Sequence, residues 1–176
     1  MPWADGILAF MSPTPARFRD PRRTAYDFLD PVLVRCPRCA RMARVEPQPG
    51  AEPKPTRWPH FTPRRLVCLS CGLARGREAN WVALNRDSAD ARDPYFRLPL
   101  WLQTRTRHGH LWAYNLEHLD LIRRFAAASL RERAPWYDVG VRMTLVARLP
   151  VWIKRGRNRA EVLRAVDRVR GSVTSG

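Results

Sequence analysis

The chain has 176 residues, 45% of them hydrophobic and seven of them tryptophan, enough apolar material for one core larger than a metal-stapled module. Its 32 basic and 16 acidic residues leave a formal charge of +16, a balance that points to a polyanion as partner. No run approaches the roughly 18 consecutive apolar residues of a membrane span, so no membrane association is expected.

Residues 1–29 are rich in Pro, Arg and Asp, lack sustained periodicity, and are expected to form a flexible N-terminal arm with a short ordered stretch at 26–29. The apolar run Ile7-Leu8-Ala9-Phe10 has no basic flank and is shorter than the roughly 7–15 residues of a signal-peptide core, so a cytoplasmic location is expected.

All four cysteines stand in two C-x-x-C pairs, Cys36-Pro37-Arg38-Cys39 and Cys68-Leu69-Ser70-Cys71. Two such loops can supply four thiolates to one tetrahedral site, a donor set that favours Zn2+. Strand-like flanks, Val32-Leu33-Val34-Arg35 and Arg65-Leu66-Val67, make residues 30–76 a zinc ribbon. Gly72 follows the second pair, where a knuckle commonly needs positive φ, and Ala40 takes the equivalent place after the first. Disulfides would need an oxidising compartment, and a thioredoxin-like site would use one C-x-x-C at a helix start. Between the pairs, Pro47, Pro49, Pro53, Pro55, Pro59 and Pro63 are too many for a paired strand or a helix, so a Pro-rich loop is expected, with Trp58, His60 and Phe61 folding back at its end.

Residues 77–170 read as a β-hairpin and helical region, and 171–176 as a flexible tail. Asn80-Trp81-Val82-Ala83-Leu84 predicts a strand, followed by turn residues 85–93. Residues 98–114 alternate as a hairpin about a His108-Gly109 turn, which sets Arg107 opposite His110, Arg105 opposite Trp112 and Gln103 opposite Tyr114. One face then carries Leu98, Leu100, Leu102, Leu111 and Ala113 as core, and the other carries Trp101, Gln103, Arg105, Arg107, His110, Trp112 and Tyr114. That second face is either a stacking platform for single-stranded nucleic acid or, for its tryptophans, a surface packed under other elements.

Asn115 caps a helix expected over 115–133, with Leu116, Leu119, Ile122, Phe125, Ala126 and Leu130 on one stripe, and Pro135 beyond it. A shorter segment, 141–149, ends at Pro150, and a last helix opens on Asn158-x-x-Glu161 with Val162, Val166 and Val169 inside and Arg164, Arg168 and Arg170 outside. From 121 to 176 there are 13 basic and four acidic residues, +9 of the +16. Only Lys54 and Lys154 are lysines; codon bias accounts for Arg over Lys but not for the shortage of acidic residues. His108, His110, Glu117, His118 and Asp120 raise a metal-hydrolase reading, but nucleophile motifs, a phosphate-binding loop and H-E-x-x-H are all missing, so catalysis is not the expectation.

Asp93-Pro94-Tyr95-Phe96, Leu98-Pro99-Leu100-Trp101-Leu102-Gln103, Leu111-Trp112-Ala113-Tyr114-Asn115, His118-Leu119, Leu149-Pro150-x-Trp152-Ile153-Lys154 and Asn158-Arg159-x-Glu161-Val162-Leu163 resemble a family of bacterial TFIIB-type zinc-ribbon proteins over roughly residues 30–170. The resemblance implies a structural zinc and no established activity. It departs at Arg107-His108-Gly109, where the resemblance implies Cys-Cys-Gly in many relatives. Together these readings predict an α+β protein: a four-cysteine zinc ribbon, a small antiparallel sheet and C-terminal basic helices. The expected function is nucleic-acid binding through Arg105, Arg107, Trp112, Tyr114, Arg164, Arg168 and Arg170, and the rival is an adaptor that docks a protein partner through the ribbon.

Overall fold

The structure, a computed structural model, describes residues 17–50, 61–78, 82, 84, 91–132 and 144–174. The expectations for residues 1–16, Trp58, His60, the strand at 80–84 as a whole, and residues 85–90, 135 and 141–143 lie outside the described residues.

Residues 17–29 do not behave as an arm. Strand β1 (Arg17–Arg19) pairs in parallel with residues 130–132, and Phe18 is buried edge-on against Phe125 with ring centroids 5.3 Å apart. The Thr144 hydroxyl donates to Asp20 at 2.9 Å, and the Leu145 N–H donates to the Arg23 carbonyl at 2.7 Å. A 3₁₀ turn (Ala25–Phe28) then sets Phe28 and Leu29 in the core. Isolated aromatics among prolines give no periodicity, so their burial was not visible in the pattern.

The ribbon is a four-stranded antiparallel meander: β2 (Val32–Arg35), β3 (Met42–Pro47), β4 (Arg64–Val67) and β5 (Ala74–Arg77). Strand alternation puts Val32, Val34, Ala43, Val45 and Leu66 on a buried face and leaves Arg35 and Arg44 exposed. Strand β3 reaches two residues into the run expected as loop, pairing Glu46 with Arg65 and Pro47 with Arg64. Pro47 is the last residue of that strand, where a missing N–H costs little.

Strand β2 is not a free edge. Its outer side bonds to the segments that flank the hairpin: the Arg35 N–H donates to Pro99 O at 2.8 Å, the Trp101 N–H to Leu33 O at 2.9 Å, and the Leu33 N–H to Tyr114 O at 2.8 Å. The ribbon and the region after it therefore share one buried cluster, which runs from Val32 and Leu66 through Leu100, Leu111 and Ile122 to Val166.

The hairpin forms from β6 (Gln103–Thr106) and β7 (Gly109–Trp112), but its turn is Arg107-His108, one residue earlier than expected. Gln103 faces Trp112, Thr104 faces Leu111 and Arg105 faces His110. Because every partner moves by two, Gln103, Arg105, His110 and Trp112 keep the face assigned to them while Arg107 passes into the turn; Leu100, Leu102, Leu111 and Ala113 are fully buried and Leu98 only partly. Gly109 explains the shift: it sits at φ +150°, and a Cβ there would lie 2.7 Å from the Trp152 indole nitrogen. That close approach makes glycine necessary at the first residue of β7, not within the turn.

Helix α1 (Leu116–Ala127) starts as expected, with the Asn115 side chain accepting from the His118 N–H, but it ends six residues short of 133. Ala128 is extended, its carbonyl held by Arg159 at 2.8 Å, and β8 (Leu130–Glu132) follows to pair with β1. Leu130, expected on the helix stripe, is 44% exposed; tertiary pairing has overridden helix propensity. Short helices α2 (Leu145–Arg148) and α3 (Val151–Lys154) flank Pro150. Helix α4 (Arg159–Thr174) buries Val162, Ala165, Val166 and Val169, packs against α1 and the hairpin, and takes in residues 171–174 that were expected as tail. Among the described residues no helix is long and apolar enough to cross a membrane.

Candidate metal centre and basic surface

Each cysteine pair occupies the tight connection of one ribbon hairpin. In the first, the Ala40 N–H donates to Cys36 O at 3.0 Å and the Cys36 N–H to Arg41 O at 2.8 Å. In the second, the Gly72 N–H donates to Cys68 O at 3.0 Å and the Cys68 N–H to Leu73 O at 2.9 Å. Ala40 has φ 60° and Gly72 φ 71°, so both knuckles require the left-handed conformation and the first takes it with an alanine.

The two knuckles face each other across the sheet end. Cys36 and Cys71 sulfurs are 3.7 Å apart, Cys39 and Cys68 sulfurs 3.6 Å, and all four lie within 4.8 Å of one another. A tetrahedral tetrathiolate site with metal–sulfur bonds of about 2.3 Å has edges of about 3.8 Å, so the four sulfurs fit a metal ion. The sulfurs also receive backbone donors, such as the Arg38 N–H to Cys36 Sγ at 3.4 Å. Burial opposes the Cys68 thiolate, yet the N–H groups of Cys71 and Ser70, with the Cys39 and Cys36 thiols, bring it down to about 7. In its neighbour Cys39 the Arg41 N–H favours the thiolate, but burial and the other sulfurs push the thiol up to about 12. Adjacent thiolates repel, and a cation between them would remove that conflict. Among the described residues this is the one group of three or more His, Cys, Asp or Glu side chains placed to hold a metal.

The proposed nucleic-acid residues divide. Tyr114 is 1% exposed and belongs to the core, so its ring cannot act as a stacking surface. Trp112 is half-buried, edge-on to Tyr114 at 5.1 Å and to His118 at 5.7 Å, and so is not an open platform. Arg105 and Arg107 are exposed. Arg107 donates to Glu161 at 2.6 Å, and His108 lies 3.3 Å from the same carboxylate, which joins the hairpin turn to the first turn of α4. Arg164 and Arg168 follow Glu161 by three and seven residues, so they share its helix face and are exposed. Arg107 thus holds the Glu161 carboxylate, Arg164 and Arg168 lie exposed on the same helix with Asp167 between them, and Arg105 is exposed on β6 opposite His110. Arg170 lies elsewhere, 3.2 Å from Asp120 on α1, which also holds Arg124 at 3.1 Å.

Comparison with protein-family models, curated proteins and solved structures gave no match. The chain's own residues therefore carry the functional argument.

Of the polar residues considered for a hydrolase, Glu117 pairs with Arg23, Asp120 with Arg124 and Arg170, and His108 with Glu161, so they do not converge. His118 is buried and its ring packs against Phe28, Trp112 and Tyr114. Two further residues were given no role of their own from the sequence, although Asp93 stands in a motif of the resemblance. Asp93, fully buried, accepts from the N–H groups of Tyr95, Phe96 and Leu98 at 2.9, 2.7 and 2.6 Å and so shapes the loop that delivers Leu100 to β2. Arg64, 3% exposed, donates to Leu29 O at 3.2 Å and Asp30 at 2.9 Å and stacks 4.7 Å over the Tyr95 ring. An Asp-Pro turn signal could have flagged the first; nothing local marks one arginine among so many as the buried one.

Proposed function

We propose that the protein is a zinc-stabilised nucleic-acid-binding protein of the zinc-ribbon family its motifs resemble, working in the cytoplasm, where its thiols stay reduced. The observation that carries this reading is the set of exposed arginines, Arg105 and Arg107 on the hairpin and Arg164 and Arg168 on the helix that Arg107 ties to it through Glu161, on a chain of charge +16. Guanidinium groups on a rigid hairpin and helix can contact successive phosphates and release counterions. Zinc, held by Cys36, Cys39, Cys68 and Cys71, supplies folding free energy and no reaction step.

A salt titration of oligonucleotide binding tests the reading. The protein retards single-stranded DNA or RNA at low salt, with affinity falling linearly in the logarithm of salt. Replacing Arg164 and Arg168 by Gln reduces that slope by about 1.4, at about 0.7 per phosphate contact on a single strand. Arg170→Gln leaves the slope unchanged because Arg170 already has Asp120. Absence of any shift with DNA and RNA at low salt sinks the proposal.

One observation favours an adaptor instead: Leu69, at the tip of the second knuckle, is 83% exposed, an apolar side chain offered to a partner. Binding of a protein partner that resists salt and is lost in Leu69→Ser would support that second reading.

A further inference from the structure

Beneath the hairpin lies a cavity of about 690 Å³, within the range of small-molecule sites. Its walls are mixed in a specific way. Trp112 supplies a half-buried ring, Ile122, Leu149 and Ile153 supply aliphatic surface, and no carboxylate is found among the described lining residues. His118, 2% exposed, lines the cavity. Its Nδ1 accepts from the Tyr114 N–H at 3.2 Å, so the proton of the neutral ring is on Nε2, and among the described residues no acceptor for that Nε2–H is found. His110 lines the cavity as well, with a buried Nδ1 that has no partner. Arg148 is both exposed and part of the lining, which marks where the cavity opens.

Each feature narrows the ligand. An acyl chain would fill the apolar walls but leave the His118 donor buried without an acceptor, at the full desolvation cost. Among the described lining residues Arg148, at the exposed edge, is the one permanently charged side chain, so a charged group placed deeper would have no counter-charge among them. A flat ring that bears a carbonyl or ring-nitrogen acceptor satisfies both, and an anionic tail on it would emerge beside Arg148. We propose that this cavity binds one neutral heteroaromatic ring, a nucleobase, with its phosphate left outside at Arg148. The source is either a free nucleotide or an unstacked base of a strand; only in the second case does the inference rest on the nucleic-acid reading above.

The full-length, metal-loaded protein is titrated by calorimetry with adenosine and uridine 5′-monophosphates, with ribose 5-phosphate as the ligand lacking a base, and separately with a labelled oligonucleotide. Ala25→Phe, at a partly buried position on the cavity wall, adds bulk to the space without removing a core side chain. For a free nucleotide, saturable binding is expected that ribose 5-phosphate does not share and that Ala25→Phe weakens about tenfold, as for one lost stacking contact. For a strand base, the mononucleotides bind poorly and Ala25→Phe weakens the oligonucleotide by a similar factor while its salt slope stays the same. In either case the His118 Nε2 resonance of the unmodified protein shifts when the base-bearing ligand is added, a readout that needs no variant. Equal binding of ribose 5-phosphate, or no His118 shift with either ligand, overturns the pocket. Salt-dependent oligonucleotide binding that Ala25→Phe leaves untouched removes the pocket and keeps the arginine surface. Nucleotide binding without oligonucleotide binding does the reverse.

Discussion

His118 and Gly109 show how much single positions in this chain are set by what packs on them. The His118 ring is buried among Phe28, Trp112 and Tyr114, and that burial, with the Arg23 charge adding to it, depresses its pKa from 6.5 to about 3. Between those values the unfolded chain takes up a proton that the native ring refuses. The stability that His118 contributes is therefore present above pH 6.5 and is lost as the pH falls toward 3. Ring-nitrogen NMR is expected to report a neutral Nε2–H tautomer that does not titrate from pH 7 to about pH 5; a midpoint near 6 would mean that the ring is open to water. At Gly109, an added Cβ meets the Trp152 indole at 2.7 Å on a backbone with φ +150°. Gly109→Ala should cost about 1–3 kcal/mol by overpacking, read from denaturant unfolding. An unchanged midpoint would show that Trp152 moves aside freely.

At the level of elements, the two knuckles repeat the same hydrogen bonds and the same left-handed turn in different sequences. Both place a carbonyl-to-N–H bond across the loop and a left-handed residue after the second cysteine, although only one of those residues is glycine. The four sulfurs come together because β2–β3 and β4–β5 hairpins lie side by side in one meander. The purified protein is expected to carry one zinc per chain by atomic emission, and Cys68→Ser to carry essentially none, because three thiolates and a hydroxyl hold the ion far less tightly. Full occupancy in that variant would refute the ligand assignment. The C-terminal arginines make the complementary point: one helix leaves Arg164 and Arg168 exposed and sets Arg170 against Asp120, so charge counting along the chain overstates how many of them share a surface.

Across the whole molecule, the ribbon and the helices are coupled. Three backbone hydrogen bonds tie β2 to residues 99, 101 and 114, and Asn115 reaches from the start of α1 to the carbonyls of Phe28 and Pro31 at 3.0 and 3.2 Å. Arg64 fastens β4 to Leu29, Asp30 and Tyr95. A small ribbon draws much of its stability from metal, so stripping the ion should lower the unfolding midpoint of the entire chain. Far-UV dichroism and tryptophan fluorescence are expected to report one coincident transition, with and without chelator. A chelated protein that keeps its helices through a separate later transition would show that the shared core does not couple the two regions.

The sequence by itself determined the features that depend on near neighbours. Two C-x-x-C pairs in strand-like flanks are a local pattern, and the knuckles, the hairpin faces, the Asn115 cap and the valine stripe of α4 all follow from spacings of a few residues. The charge excess is likewise a sum that needs no fold. The tertiary structure alone decided which members of a repeated residue type do different things. It buried Arg64 while exposing Arg105, gave Arg170 an acidic partner, put Tyr114 in the core, stopped α1 at Ala127 so that β8 could pair with β1, and drew Phe18 out of what reads as an arm. The physical reason is common to all of these: burial and pairing are properties of contacts between distant residues, and a chain with 32 basic side chains carries no local mark on the few that a distant partner selects.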